Sequence, residues 1–258
     1  MLKTRVIPCL LLKNRGLIKT IKFKDPKYVG DPINAVRIFN EKEVDELIFL
    51  DTTATLENRK PNFQFISEIA SECFMPFGYG GGIRDVNDIK EIFNLGVEKI
   101  IINSYAVENP DFIRKASELY GSQSIVVSID VKKNFFGKYE IYTQSGKKPT
   151  KLDPVEFAVK MQEFGAGEIF LNSIDRDGTL QGYDIELIKK VSESLSISVI
   201  ASGGAGKIED FVDAAKKGGA SAVAAGSMFI FHGKYRAVLI NYPSPGLIER
   251  ILRDSFSI

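Results

Sequence analysis

Residues 198–231 constrain the fold of this chain more than any other stretch. A short apolar run, Ser198 to Ser202, enters the turn Gly203-Gly204-Ala205-Gly206. A helix-period segment from Ile208 to Gly218 follows, then a second apolar run, Ala220 to Ala225, ending in Gly226-Ser227. Two buried strands that each run into a glycine turn and a helix start bring two sets of free backbone N–H groups to one place. Glycine lets the main chain approach an anion closely, and each helix N-terminus adds about half a positive charge. Ser202, Gly203, Gly204, Gly226 and Ser227 are therefore candidate phosphate-binding residues, with no lysine required. In a (β/α)8 barrel the loops after strands 7 and 8 form such a site, which predicts six strand–helix units upstream.

The upstream sequence supplies them. Strand 1 is expected over 5–12, almost wholly apolar as a strand buried on both faces should be. A polar stretch, Lys13 to Asp31, reads as a long lid or binding loop carrying Lys19. Asp31 and Pro32 then read as the N-cap and first residue of helix 1. Strand 2 (46–51) ends on Asp51, and strand 3 (76–80) runs into Gly81-Gly82. Strand 4 (99–103) ends on Asn103-Ser104, and strand 5 (124–130) ends on Asp130. The segment 132–150 alternates like a hairpin. Helix 5 is expected over 154–164, and strand 6 (168–172) opens into 173–179, with Asp177 and Gly178.

Strands 3 and 4 repeat the glycine-turn pattern of strands 7 and 8. Gly81, Gly82, Asn103 and Ser104 thus form a second candidate phosphate site. Strand 2 resembles strand 6, and strand 1 aligns with strand 5 at an offset of about 120 residues. The reading is one TIM-barrel domain over 1–258, built from two half-barrels at about 1–120 and 121–240, with a C-terminal helix at about 244–254. A ligand with phosphates at both ends would span the rim.

Composition narrows the partners. Lys+Arg (34) balance Asp+Glu (33) and no basic cluster interleaves with aromatics, which disfavours nucleic acid and membrane surfaces. Cys9 and Cys73 lack metal spacing, and His232 is the single histidine, so no metal and no cofactor is expected. No segment resembles a signal peptide, which points to the cytoplasm.

Taken in order, Arg5-Val-Ile-Pro-Cys9, Phe49-Leu-Asp51, Gly80-Gly-Gly-Ile83, Asn103, Ala106-Val-Glu-Asn-Pro110, Gly121-Ser-Gln123, Ser145-Gly-Lys147, Ser173-Ile-Asp-Arg-Asp-Gly-Thr179 and Ala201-Ser-Gly-Gly-Ala-Gly-Lys207 resemble the HisF family. This is the cyclase subunit of imidazole glycerol phosphate synthase. The resemblance implies a heterodimer with a HisH-like glutaminase, whose ammonia crosses the barrel to a phosphorylated small-molecule ligand at the rim. It also implies a general acid and base at the ends of strands 1 and 5. The strand 5 aspartate matches Asp130, the mobile-loop lysine matches Lys19, and the charged ring at the ammonia entrance matches Arg5, Glu46, Lys99 and Glu168. Asp51, Asn103 and Asp177 would position substrate.

Position 11 departs from the family. Leu11 stands where the strand 1 aspartate belongs, and leucine transfers no proton, so ordinary cyclase turnover is expected to be severely reduced. Residues 19–46 and 236–243 resemble the WbuZ-type HisF-like proteins of surface-polysaccharide gene clusters. That resemblance implies ammonia supply, with a separate sugar amidotransferase, for acetamidino-sugar formation. Two alternatives stay open: a genuine cyclase of histidine biosynthesis, and a noncatalytic scaffold for the glutaminase.

Overall fold

Side-chain alternation along the strands divides this molecule into an inner and an outer core. The computed structural model describes residues 4–254. Eight parallel strands, Arg5–Lys13, Leu47–Asp51, Phe77–Gly80, Lys99–Ile102, Ile125–Lys133, Glu168–Ser173, Ser198–Ser202 and Ala222–Ala225, pair each with the next. The eighth pairs back to the first, Arg5 opposite Ala222, and closes a (β/α)8 barrel.

Because strand side chains alternate faces, one set of residues fills the barrel: Ile7, Cys9, Ile48, Ile101, Val126, Phe170, Ile200, Ala222 and Ala224, with Leu11 and Leu50 packed above them. Phe170 is fully buried at the centre of this layer. The intervening residues, among them Val6, Leu10, Phe49, Val127 and Val223, pack outward against the helices. Those helices are amphipathic and present Phe39, Ile66, Ile92, Ile113, Met161, Val191 and Phe211 to the strands.

Local signals set the helix starts. The helix Pro32–Glu41 begins as expected, with Asp31 accepting from the Asn34 N–H at 3.0 Å and Pro32 in the first turn. Asp153 does the same for Pro154–Glu163, accepting from Val155 at 2.8 Å and Glu156 at 3.1 Å. A last helix spans Pro245–Asp254, and His232 lies exposed in a two-residue strand.

The polar stretch after the first strand is not the irregular loop expected from its composition. It forms two antiparallel strands, Gly16–Ile21 and Lys24–Gly30, that continue the first barrel strand beyond the barrel. Leu17, Ile18, Lys19 and Thr20 are buried, whereas residues 24–28 face solvent, and this one-sided wetting explains the polar composition. After the fifth strand, Tyr139–Thr143 folds back against Val131–Lys133 as the hairpin pattern predicts.

Candidate functional site

The strand C-termini open into a cavity of about 480 Å³. The residues proposed from sequence for phosphate and substrate binding all line it: Asp51, Gly81, Gly82, Asn103, Ser104, Asp177, Gly178, Ser202, Gly203, Gly204, Gly226 and Ser227. Leu11, Lys19, Asp130 and Asn172 line it as well.

Each glycine turn is held in a shape that other residues resist. Gly81 has φ +126°, and a Cβ there would come within 2.6 Å of the Asp51 carbonyl oxygen. Gly203 has φ +88°, and a Cβ there would come within 2.6 Å of the Ser173 carbonyl oxygen. Among the described residues the N–H groups of Gly81, Gly82, Gly203 and Gly204 donate to no protein acceptor, and all four residues line the cavity.

The long helices that follow these turns are less available than their position suggests. Asp85 accepts from Asn87 at 2.9 Å, while Asp210 accepts from Gly206 at 2.8 Å and Lys207 at 3.1 Å. Their N-termini are thus closed by their own carboxylates. The short helices Ser104–Glu108 and Ser227–Ile230 have no side-chain cap at Asn103 or Gly226. A glycine turn and the start of the neighbouring short helix lie together at each candidate anion site.

Between the two candidate anion sites sits a buried polar cluster. Asp130 Oδ2 accepts from Asn103 Nδ2 at 3.1 Å and Oδ1 accepts from Asn172 Nδ2 at 3.3 Å. Burial pushes the Asp130 carboxyl up to about 7; the two amides work against that shift and nearby Asp177 adds to it. Burial likewise raises Asp177, whose carboxylate accepts from Thr20 Oγ1 at 3.0 Å and is partly compensated by Lys19. Lys19 itself is 6% exposed and donates to the Cys9 carbonyl oxygen at 2.6 Å. Burial lowers its affinity for the proton, against the pull of Cys9 and Asp177. Lys19, matched by resemblance to the family's mobile-loop lysine, lies on the hairpin strand Gly16–Ile21 with its ammonium inside the mouth.

Leu11 faces the same cavity from the first strand, in register with Leu50. The floor is therefore apolar beneath the first two strands and polar beneath the fourth, fifth and sixth. Asp51 is fully engaged locally: it accepts from the N–H of Thr53 at 3.0 Å and of Ala54 at 3.1 Å, and pairs with Arg59 at 2.8 Å. Its carboxylate braces the loop after the second strand.

The opposite end of the barrel carries the charged ring. Arg5 pairs with Glu46 and with Glu168, and Lys99 reaches Glu46 at 3.0 Å and Glu168 at 2.9 Å. These four side chains form a closed cycle of alternating charge, with Glu46 only 4% exposed at its side chain. Burial works against the Arg5 charge, but the two carboxylates outweigh it and hold the guanidinium above its ordinary range.

A family model for histidine biosynthesis proteins matches residues 5–236. A Pseudomonas aeruginosa protein, provisionally named imidazole glycerol phosphate synthase subunit hisF2, is 55% identical over 249 residues, covering 96% of this chain and 99% of the relative. This chain belongs to the HisF family. A Vibrio vulnificus protein provisionally named subunit hisF3 is 49% identical over 253 residues, covering 98% and 97% of the two chains. A Leptospira interrogans HisF, also provisionally named, is 47% identical over 245 residues, covering 95% and 96%. The chain is thus a HisF protein of the imidazole glycerol phosphate synthase type.

Two features of this HisF mouth escaped the sequence reading. Asn172, between Asp130 and Gly203, was visible only as the counterpart of Asp51 in the repeat, yet its amide is a direct partner of Asp130. The burial of Lys19 was masked by its lysine-rich neighbours. Among the described residues no cluster of His, Cys, Asp and Glu can hold a metal ion, and no helix is long and apolar enough to cross a membrane.

Proposed function

We propose that this HisF protein is the barrel subunit of a glutamine amidotransferase of the WbuZ type, serving acetamidino-sugar formation for a surface polysaccharide. A HisH-like glutaminase docks on the face that carries the charged ring. Ammonia enters as the ring opens, and emerges beside Asp130. There it meets a phosphorylated ligand held by the two cradles, or passes to a separate sugar amidotransferase in the cytoplasm.

The observation that carries this reading is Leu11. It occupies the inner face of the first strand at the mouth, packed beside Leu50, where the family pattern has its second proton-transfer group. General acid–base groups contribute roughly 10²- to 10⁴-fold each. A mouth with a leucine there is suited to receiving ammonia more than to closing an imidazole ring.

One observation favours the second reading, a working cyclase of histidine biosynthesis. Asp177 and Lys19 give the mouth two further buried ionisable groups near Asp130, both with perturbed proton affinity. Complementation separates the two. Expressed in a cyclase-deficient histidine auxotroph, the protein is expected not to restore growth without histidine; growth at the rate given by an authentic cyclase would replace the first reading by the second.

A further inference from the structure

We propose that the turn pair after the seventh and eighth strands is the primary anion anchor of the mouth, with Lys19 as its fixed counter-charge, and that the pair after the third and fourth strands fills second. The inference rests on the reading of both turn pairs as phosphate cradles; what it adds is their inequality. The two halves repeat in backbone but not in charge.

Lys19 reaches the cavity from the hairpin, not from a barrel strand. Its ammonium lies so close to Gly226 that a Cβ at that glycine would overlap Nζ. Gly226 opens the short helix Ser227–Ile230, so the cation stands at the entrance of this cradle. Its hydrogen-bond partner is a neutral carbonyl, that of Cys9. Asp177 attracts it from a distance, but that carboxylate is held by Thr20 at 3.0 Å. A buried ammonium without a close anion is costly, and a phosphate in this cradle would supply the missing charge.

A second polar atom at the same cradle is also incompletely satisfied. Asn172 Oδ1 is buried and accepts no hydrogen bond among the described residues. It lies against Gly203, where a Cβ would come within 2.8 Å of it. Only a P–OH or alcohol hydrogen of the ligand would complete it, because an ionised phosphate oxygen is itself an acceptor.

At the other cradle the polar side chains are satisfied by the protein itself. Ser104 Oγ donates to Asn103 Oδ1 at 3.1 Å and accepts from the Gln144 N–H at 2.9 Å. The nearby cations are committed or wet: Arg59 pairs with Asp51 and Glu57, Arg84 donates to Asn58 at 2.8 Å, and Lys13 and Lys147 are exposed. Here an anion gains backbone N–H groups but no buried charge.

Titration of the full-length protein with inorganic phosphate, followed through its backbone amide resonances, tests the order. The resonances of Gly203, Gly204 and Gly226 are expected to shift at a phosphate concentration about tenfold or more below that needed for Gly81 and Gly82. In Lys19→Gln that lead should vanish while Gly81 and Gly82 titrate as in the wild type. Simultaneous filling in the wild type, filling at Gly81 and Gly82 first, or an unchanged lead in Lys19→Gln would overturn the proposal. Should Lys19→Gln not fold, the wild-type order decides by itself. Absence of any shift at either turn pair would remove the cradle reading as a whole, a different failure from equal filling.

Discussion

Leu11 and Asp130 face one cavity from strands on opposite sides of the barrel, and their side chains set what that cavity can do. Asp130 is buried at 8% exposure and its carboxyl is pushed up to about 7 from 3.8, chiefly by desolvation. The folded protein keeps a proton there that the unfolded chain releases between about pH 4 and pH 7. Ionisation in this window therefore costs stability as pH rises, and the full cost is present above pH ~7. Asp130→Asn is expected to be more stable than the wild type near pH 8, by roughly 2–4 kcal/mol. The gain should shrink as pH falls toward about 4. Urea unfolding across that range measures it, and a difference that does not change with pH would show that Asp130 titrates normally. At this scale the sequence was partly legible. The candidacy of Asp130 and the anomaly at Leu11 could be read from motif position. The two amides that hold Asp130 could not, because Asn103 and Asn172 meet it only through strand pairing 27 and 42 residues away in the chain.

At the scale of elements, each barrel strand ends in a loop whose backbone carries part of the site. The glycine turns were legible because few residue types accept their geometry. Gly203→Ala must place a Cβ against the Ser173 carbonyl oxygen at φ +88°, and is expected to cost on the order of 2–3 kcal/mol and to weaken phosphate binding. Chemical denaturation of that variant with and without phosphate checks both effects. The hairpin Gly16–Gly30 was not legible, since Lys22, Lys24 and Lys27 conceal a strand pair that packs one face on the barrel mouth and leaves the other in water. The charged ring behaves as one unit. Removing Lys99 leaves Glu46 and Glu168 facing each other with Arg5 alone between them. We expect Lys99→Ala to keep the barrel folded and to change the ratio of amidine product to glutamine hydrolysed in the complex with the glutaminase. A ratio equal to that of the wild type would count against passage of ammonia through this ring.

Across the whole molecule, related elements recur in each half. The hairpin after the first strand has a counterpart after the fifth, and the uncapped short helix after the fourth strand has one after the eighth. This repetition made the barrel readable from sequence, because two weak patterns at a fixed offset reinforce each other. Where the halves diverge, at Lys19, Leu11 and Asn172, the repeat did not give the side chain's role and the site acquires its own chemistry. Leu11 is the divergence with the largest functional consequence. The most direct measurement is steady-state turnover of the purified protein and of Leu11→Asp, with an ammonium salt and the bis-phosphate precursor of the imidazole pathway. The wild type is expected to be inert and Leu11→Asp to gain activity, the signature of a cyclase scaffold that has lost a proton-transfer group. Turnover by the wild type at an ordinary enzymatic rate, on the order of 1 s⁻¹ or more, would contradict the account and make this HisF protein a cyclase in its own right.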